Sequence, residues 1–239
     1  MEWHGGTAAT SRSDGAMNTT PLFAGLTVEE RDALERRATL RKFAVGDSLF
    51  AQGSAANELF VITKGRVKVW RASEEGTALT LTLVGRGQPV GTLGAAEDRR
   101  NHATATAVTP VEALVWPIED LRQLMETSPN LAGNVLRTVT NYAEQLIERL
   151  EEVASVPVEQ RLARTVLRMA RRAYGQTAAD GCELPLSRQD LADLTSATLP
   201  TISRIMSRWR AAELIAGTRG RVRLLDCAAI ARVAAANGL

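Results

Sequence analysis

An α+β fold is predicted for this 239-residue chain by three features that follow one another along it. Short β-prone runs punctuated by glycines fill positions 40 to 116. A strict apolar heptad comes next, and two short amphipathic helices with a glycine-turned hairpin follow it. A hydrophobic content of 45% is ample for packed cores, and the length suits one large domain or two small ones.

Positions 1–20 are rich in Gly, Ala, Ser and Thr without periodicity, which predicts a flexible tail. Thr27 to Glu30 has the spacing of a capping box, so a short helix is expected from there to about Thr39. The runs Glu58–Lys64, Arg66–Arg71 and Ala78–Gly85 lie between Gly46, Gly53, Gly65, Gly76 and Gly87. Many short strands at near-regular spacing with glycine turns predict a β-roll or barrel. Val67, Val69, Leu79, Leu81 and Leu83 alternate with polar residues and are expected to face the core.

Pro117 closes this region, and Glu119 to Glu126 reads as a short helix. After Pro129, Ala132, Leu136, Val139, Ala143, Leu146, Leu150 and Val153 recur at spacings alternating between four and three. That 3.5-residue period favours a helix–helix dimer seam over a helix packed on its own domain. Pro157 stops or kinks the helix and makes a hinge. The expected division is a tail at 1–20, a β-roll sensor at 21–128, a dimerisation helix at 129–156 and a carboxy-terminal domain at 157–239.

Beyond the hinge, Val158 to Ala173 reads as an amphipathic helix. Ser187 is positioned to cap a helix over Arg188–Leu194, the chain turns at Thr195–Ala197, and Thr198 is positioned to cap a second helix running to about Ala212. Leu214–Ile215, a turn at Gly217–Gly220 and Val222–Leu225 then form a hairpin. This is the order of a winged helix-turn-helix, whose second helix enters the major groove of DNA.

Charge is divided the same way. Residues 1–157 carry 16 Lys and Arg against 20 Asp and Glu, whereas residues 158–239 carry 13 Arg, no Lys and 7 acids. A basic module beside an acidic one fits a nucleic-acid partner for the former. The two cysteines, Cys182 and Cys227, are far apart in sequence, and with two histidines no ordinary zinc site is expected. No apolar run approaches bilayer-spanning length and no export pattern opens the chain, so a cytoplasmic protein with no membrane partner is expected. No nucleophile–base pair suggests an enzyme.

From about Pro21 to Ala234 the chain resembles the CRP/FNR superfamily of bacterial transcription regulators. The resemblance rests on Val45–Arg71, similar to the glycine-punctuated β-roll of cyclic-nucleotide-binding-like domains, and on the helix-turn-helix at 186–215. It implies an allosteric homodimer that binds a two-fold symmetric double-stranded DNA site, with RNA polymerase as a further partner. An effector in the β-roll would reorient the DNA-binding domains through the long helix. The resemblance places the effector pocket around Gly91, Thr92, Leu93, Arg100, His102 and Tyr142.

Cyclic-AMP-binding members carry Gly-Glu-Leu and then Arg-Ser. Here Thr92 replaces the Glu, Asn101–Ala103 stands where Arg-Ser should be, and Leu146 and Ile147 replace the Thr-Ser pair that contacts adenine. A cyclic phosphate without its guanidinium loses roughly 2–3 kcal/mol, which argues against cyclic AMP, although Arg99 or Arg100 offers a substitute. An iron–sulfur cluster is not expected without four thiolates. The turn sequence Leu194–Trp209 is similar to the NnrR-like, nitrogen-oxide-responsive branch. On that resemblance His102 is a candidate axial haem ligand, against the plainer reading of a hydrogen-bonded or surface histidine.

For DNA, Arg204 matches the family's shared arginine and is the candidate for bidentate contact to guanine O6 and N7. Ser203 is a second polar contact, and Leu199 offers only apolar contact to a thymine methyl. Arg188, Thr201, Arg208, Arg219 and Arg221 are expected at phosphates. Ser196 stands where the family usually has Gly, at a cost of ~1 kcal/mol if its backbone is left-handed. A rival class is a ligand-binding module that acts on a protein partner and has lost specific DNA binding. Its support is the loss of polar side chains at Leu199 and Pro200.

Overall fold

The computed structural model describes residues 20–74, 78–91, 100–174, 180–218 and 220–236. Its described residues form an α+β chain with two four-stranded sheets, long helices and a small three-stranded sheet beside a helix-turn-helix. The Cα positions group into two compact units, one of residues 1–69 and 84–142 and one of 70–83 and 143–239.

In the first unit Thr27 forms the capping box of α1 (Val28–Arg37). Its hydroxyl accepts from Glu30 N, and Glu30 accepts from Thr27 N at 2.7 Å. Hydrogen bonds from the Ser128 hydroxyl and the Thr27 backbone hold the Glu30 carboxyl below the usual carboxylate range. The strands are β1 (Thr39–Phe43), β2 (Ser48–Phe50), β3 (Glu58–Lys64), β4 (Val67–Ala72), β5 (Ala78–Val84), β6 (Pro89–Val90), β7 (Thr104–Ala107) and β8 (Val111–Pro117), of which β4 from Trp70 and β5 up to Leu83 belong to the second unit. They order as β1-β8-β3-β6 and β2-β7-β4-β5.

Phe60, Ile62, Val67, Ala105 and Val115 fill one core of this unit. Phe23, Leu34, Leu59, Val61 and Trp116 fill another. Trp116 is fully buried, lies edge-on to Phe23 at 5.2 Å, and donates its indole N–H to Leu34 O at 2.9 Å. That bond satisfies the one polar atom of a large buried ring. Gly65 turns β3 into β4 at φ +86°, where a Cβ would meet Pro110 O at 2.1 Å, so a side chain is excluded there.

Helix α2 (Ile118–Thr127) and the 27-residue α3 (Pro129–Ser155) follow. The heptad positions of α3 are open in the single chain, with Leu136 67% and Leu150 70% exposed and Val139, Leu146 and Val153 also exposed. Pro157 separates α3 from α4 (Val158–Tyr174).

The second unit holds α4, β9 (Glu183–Leu184), α5 (Arg188–Thr195), α6 (Leu199–Ala211), β10 (Ile215–Ala216), β11 (Val222–Leu224) and α7 (Cys227–Ala235). Helix α7, absent from the sequence reading, is capped by Asp226, which accepts from Ala229 N at 2.7 Å, and it packs against α4. The alanine-rich run 228–236 has weak apolar contrast, so its period is inconspicuous.

One sequence expectation changes here. In β5 Leu79 is exposed, while Thr80 and Thr82 are buried. The threonines turn toward α5 and α4, which supply partners for their hydroxyls. The cysteines, 45 positions apart in sequence, have neighbouring thiols. Burial, together with hydrogen bonds to Asp180 and Cys182, pushes the Cys227 thiol up to about 12.

Candidate nucleic-acid interface

The geometry of α5, its turn and α6 follows from local hydrogen bonding. Ser187 caps α5 with a capping box, its hydroxyl accepting from Asp190 N at 3.1 Å while Asp190 Oδ2 accepts from Ser187 N at 2.8 Å. At the far end Ser196 is left-handed, with φ 50° and ψ 48°. Ala197 N donates to Ala192 O at 2.9 Å, and Thr195 Oγ1 donates to Leu191 O at 2.6 Å. The turn the sequence assigned to Thr195–Ala197 is therefore formed, with a serine in a conformation that glycine adopts more cheaply.

Thr198 caps α6 by accepting from Thr201 N, and Pro200 occupies the first turn, where its missing N–H costs nothing. Ile202, Ile205, Met206 and Trp209 are buried against the unit's core. The opposite face carries Arg204, Ser207, Arg208 and Arg210, all exposed, with Ser203 and Thr201 half-buried beside them. Leu199 is 42% exposed at the start of the helix. Among the described residues the Arg204 guanidinium has no internal partner.

Helix α6 is held from below by Glu159 of α4. Glu159 Oε1 accepts from the Trp209 indole N–H at 2.8 Å, and Oε2 accepts from Arg208 at 2.7 Å. Arg208 is thus an anchored cation at the end of α6. On the hairpin, Arg221 pairs with Glu183 at 2.7 Å, and Gly217 sits at φ +138°, where a Cβ would meet Arg221 O at 2.2 Å. Arg188, Leu199, Arg210 and Arg221 line a groove of about 570 Å³ between helix-turn-helix and hairpin. Arg219 lies outside the described residues.

Three further residues, Arg161, Thr80 and Arg149, tie the helix-turn-helix to α3, α4 and β5. Arg161 of α4 is only 8% exposed. It donates to Thr195 O at 3.0 Å, Val156 O at 2.7 Å and Val153 O at 3.3 Å. One guanidinium thereby ties the end of α3 and the hinge to the helix-turn-helix turn. On the other side, Thr80 Oγ1 donates to Asp190 Oδ1 at 2.8 Å and Thr80 N to Asp193 Oδ2 at 3.0 Å. Arg149 donates to Leu81 O and Asp193 O, each at 3.0 Å. Sequence reasoning missed Glu159, Arg161, Asp190 and Asp193 in these roles.

Gly91 lies at φ +116°, and Thr92 and Leu93 fall outside the described residues. Arg100 is exposed and donates to Gly53 O at 2.7 Å. Buried Asn101 spends its amide on Ser54 Oγ and Ala55 O at 3.1 and 3.2 Å. His102 is exposed on a bend, and Tyr142 is 49% exposed on α3.

Residues 40–128 match the cyclic nucleotide-binding domain family and residues 160–233 the Crp-like helix-turn-helix domain family. The chain is 31% identical over 179 residues to a global nitrogen regulator of Nostoc sp., spanning 72% of this chain and 79% of that protein. The chain belongs to the CRP/FNR family of transcription regulators. It is also 26% identical over 168 residues to the cAMP-activated global transcriptional regulator CRP of Salmonella typhimurium, across 70% of this chain and 80% of that one. In fold it is similar to FixK2 of Bradyrhizobium japonicum, with a TM-score of 0.69 and 16% identity over 84% of this chain and 99% of that one.

As a CRP/FNR-family transcription regulator the chain combines a cyclic-nucleotide-binding-type domain with a DNA-binding helix-turn-helix domain. Among the described residues no helix is long and apolar enough to cross a membrane.

Proposed function

We propose that this regulator binds a two-fold symmetric DNA site as a homodimer and reads each half-site chiefly through Arg204. The observation that carries this reading is the α6 surface. Arg204 is exposed and, among the described residues, without an internal partner, one turn into a capped, firmly seated helix, with Ser203 beside it. A free guanidinium fork presented from such a helix matches the O6/N7 edge of guanine. Leu199 contributes apolar contact to a thymine methyl, and Arg188, Thr201, Arg208, Arg219 and Arg221 contact phosphates. With one strong base contact per half-site, the remaining selectivity comes from sequence-dependent bending.

Dimerisation runs through Leu136, Val139, Ala143, Leu146, Leu150 and Val153. Their exposure in the single chain supports this, since an unpaired apolar heptad is unfavourable in water. The proposed division is a sensor at 21–128, the dimer helix at 129–156 and the DNA-binding domain at 157–239, with RNA polymerase as a partner of the bound dimer. The effector is taken to be other than cyclic AMP, because Asn101–Ala103 stands where the resemblance expects Arg-Ser and the Asn101 amide is already engaged. The turn sequence supports an NnrR-like branch. An exposed His102 does not make an enclosed haem site, so no step in this reading runs through haem.

In vitro selection from random duplexes tests the proposal. Enrichment of an inverted repeat with half-site centres about one helical turn apart, bound by two chains, is expected. Recovery of no sequence preference would refute it.

A further inference from the structure

The DNA-binding unit carries a second basic surface that the DNA-reading face does not use. Arg164, Arg168, Arg171 and Arg172 stand at positions i, i+4, i+7 and i+8 of α4, so they share one face of that helix. They line a groove of about 600 Å³ together with Glu152, floored by Ala231, Ala234 and Ala235 of α7. The small alanine side chains leave the space between the arginines and α7 open. Among the described residues that line it, four guanidinium groups meet a single carboxylate.

That carboxylate is shared. Glu152 Oε1 lies 3.8 Å from Arg164 and 3.5 Å from Arg168. Arg164 Nε donates to Ala234 O at 3.0 Å, Arg168 to Thr165 Oγ1 at 3.4 Å, and Arg172 to Thr82 Oγ1 at 2.8 Å and to Gln145 Oε1, all neutral acceptors. Arg171 is exposed and, among the described residues, has no partner. Each guanidinium offers five N–H donors, and Arg171 brings its whole fork to the groove. Like charges at helical spacing also repel, and a bound anion would relieve that repulsion.

We infer that this groove binds a small anion carrying two or more phosphoryl groups. From Arg164 to Arg171 the cations extend ~10 Å along the helix, more than one phosphate spans. The groove falls within the size range of small-molecule sites. Its walls are α4, the end of α3 and α7, and no residue of α6 or of the β10–β11 hairpin lines it. A duplex seated on Arg204 is therefore served by a different surface. The inference goes beyond the DNA-reading proposal.

Calorimetric titration of the full-length protein with pyrophosphate, at ~0.1 M salt, tests it. One site per chain is expected, with affinity at least tenfold above that for inorganic phosphate. Arg171→Ala, which removes an exposed and unpartnered side chain, should weaken pyrophosphate binding about tenfold or more while leaving the circular-dichroism melt unchanged. Arg204→Ala should leave pyrophosphate affinity as it is. Absence of binding at about 1 mM, or affinity insensitive to Arg171→Ala, would overturn the inference. So would competitive displacement of pyrophosphate by duplex DNA, which would make the groove part of the DNA track.

Discussion

Thr80 Oγ1 donates to Asp190 Oδ1 across 2.8 Å, and the two residues are only 3% and 8% exposed. Asp190 serves at the same time as the reciprocal member of the Ser187 cap. One buried carboxylate thus joins β5 to the first turn of α5. Buried carboxylates are tolerated only when their lone pairs are satisfied, and here backbone and hydroxyl donors supply that.

Thr80→Val keeps the shape and removes the donor. Loss of a hydrogen bond to a charged acceptor costs about 1.5–3 kcal/mol, so the variant should melt several degrees lower by circular dichroism. An unchanged midpoint would mean that Asp190 does not need the hydroxyl.

Arg161→Met should be more severe. Its guanidinium makes three bonds to carbonyls, and a charge-assisted bond is worth roughly 1.5–3 kcal/mol. Without it, the Thr195, Val153 and Val156 carbonyls lose their shared donor. Backbone amide exchange in 195–198 should accelerate at least tenfold. Exchange equal to that of the parent protein would show the turn to be held by other bonds.

The Cys227 thiol should be slow to alkylate in the folded protein at pH 8, because at about 12 it stays protonated. The folded value lies above the unfolded one, so the neutral form favoured by folding carries no penalty below the unfolded pKa of ~8.5. As pH rises from there toward 12, the unfolded thiol ionises and the folded one does not, and stability falls. Urea midpoints between about pH 8 and 10.5 should decline more steeply for the parent than for Cys227→Ala. Parallel slopes would contradict the shift.

Leu146→Glu together with Leu150→Glu places charges in the exposed heptad. Sedimentation of the parent as a dimer and of the variant as a monomer is expected, with weaker DNA binding following from it. A variant that remains dimeric would put the seam elsewhere.

Much of this architecture was legible in the sequence because its signals are local. The capping residues Thr27, Ser187 and Thr198 form the expected hydrogen bonds. The glycine-bounded run Glu58–Lys64 is a strand over the same residues, and Ser196, where the family usually has Gly, has the left-handed backbone on which its cost was conditional. What sequence reasoning misread depends on contacts distant in the chain. In β5 Leu79 is exposed while Thr80 and Thr82 are buried, because Asp190 and Arg172, more than 85 residues away, complete the threonines' hydrogen bonds. The buried role of Arg161 depends on two carbonyls of α3 and its hinge and one at the helix-turn-helix turn, which no single stretch of sequence brings together.

The central claim is that Arg204 reads a base rather than merely adding charge. Fluorescence anisotropy with a selected duplex and a scrambled one, at fixed salt, measures that directly. Arg204→Ala should lose about 1–3 kcal/mol of discrimination per half-site while keeping most of its scrambled-duplex affinity. If the variant binds both duplexes more weakly by the same factor, Arg204 is a phosphate contact and the account of recognition is wrong.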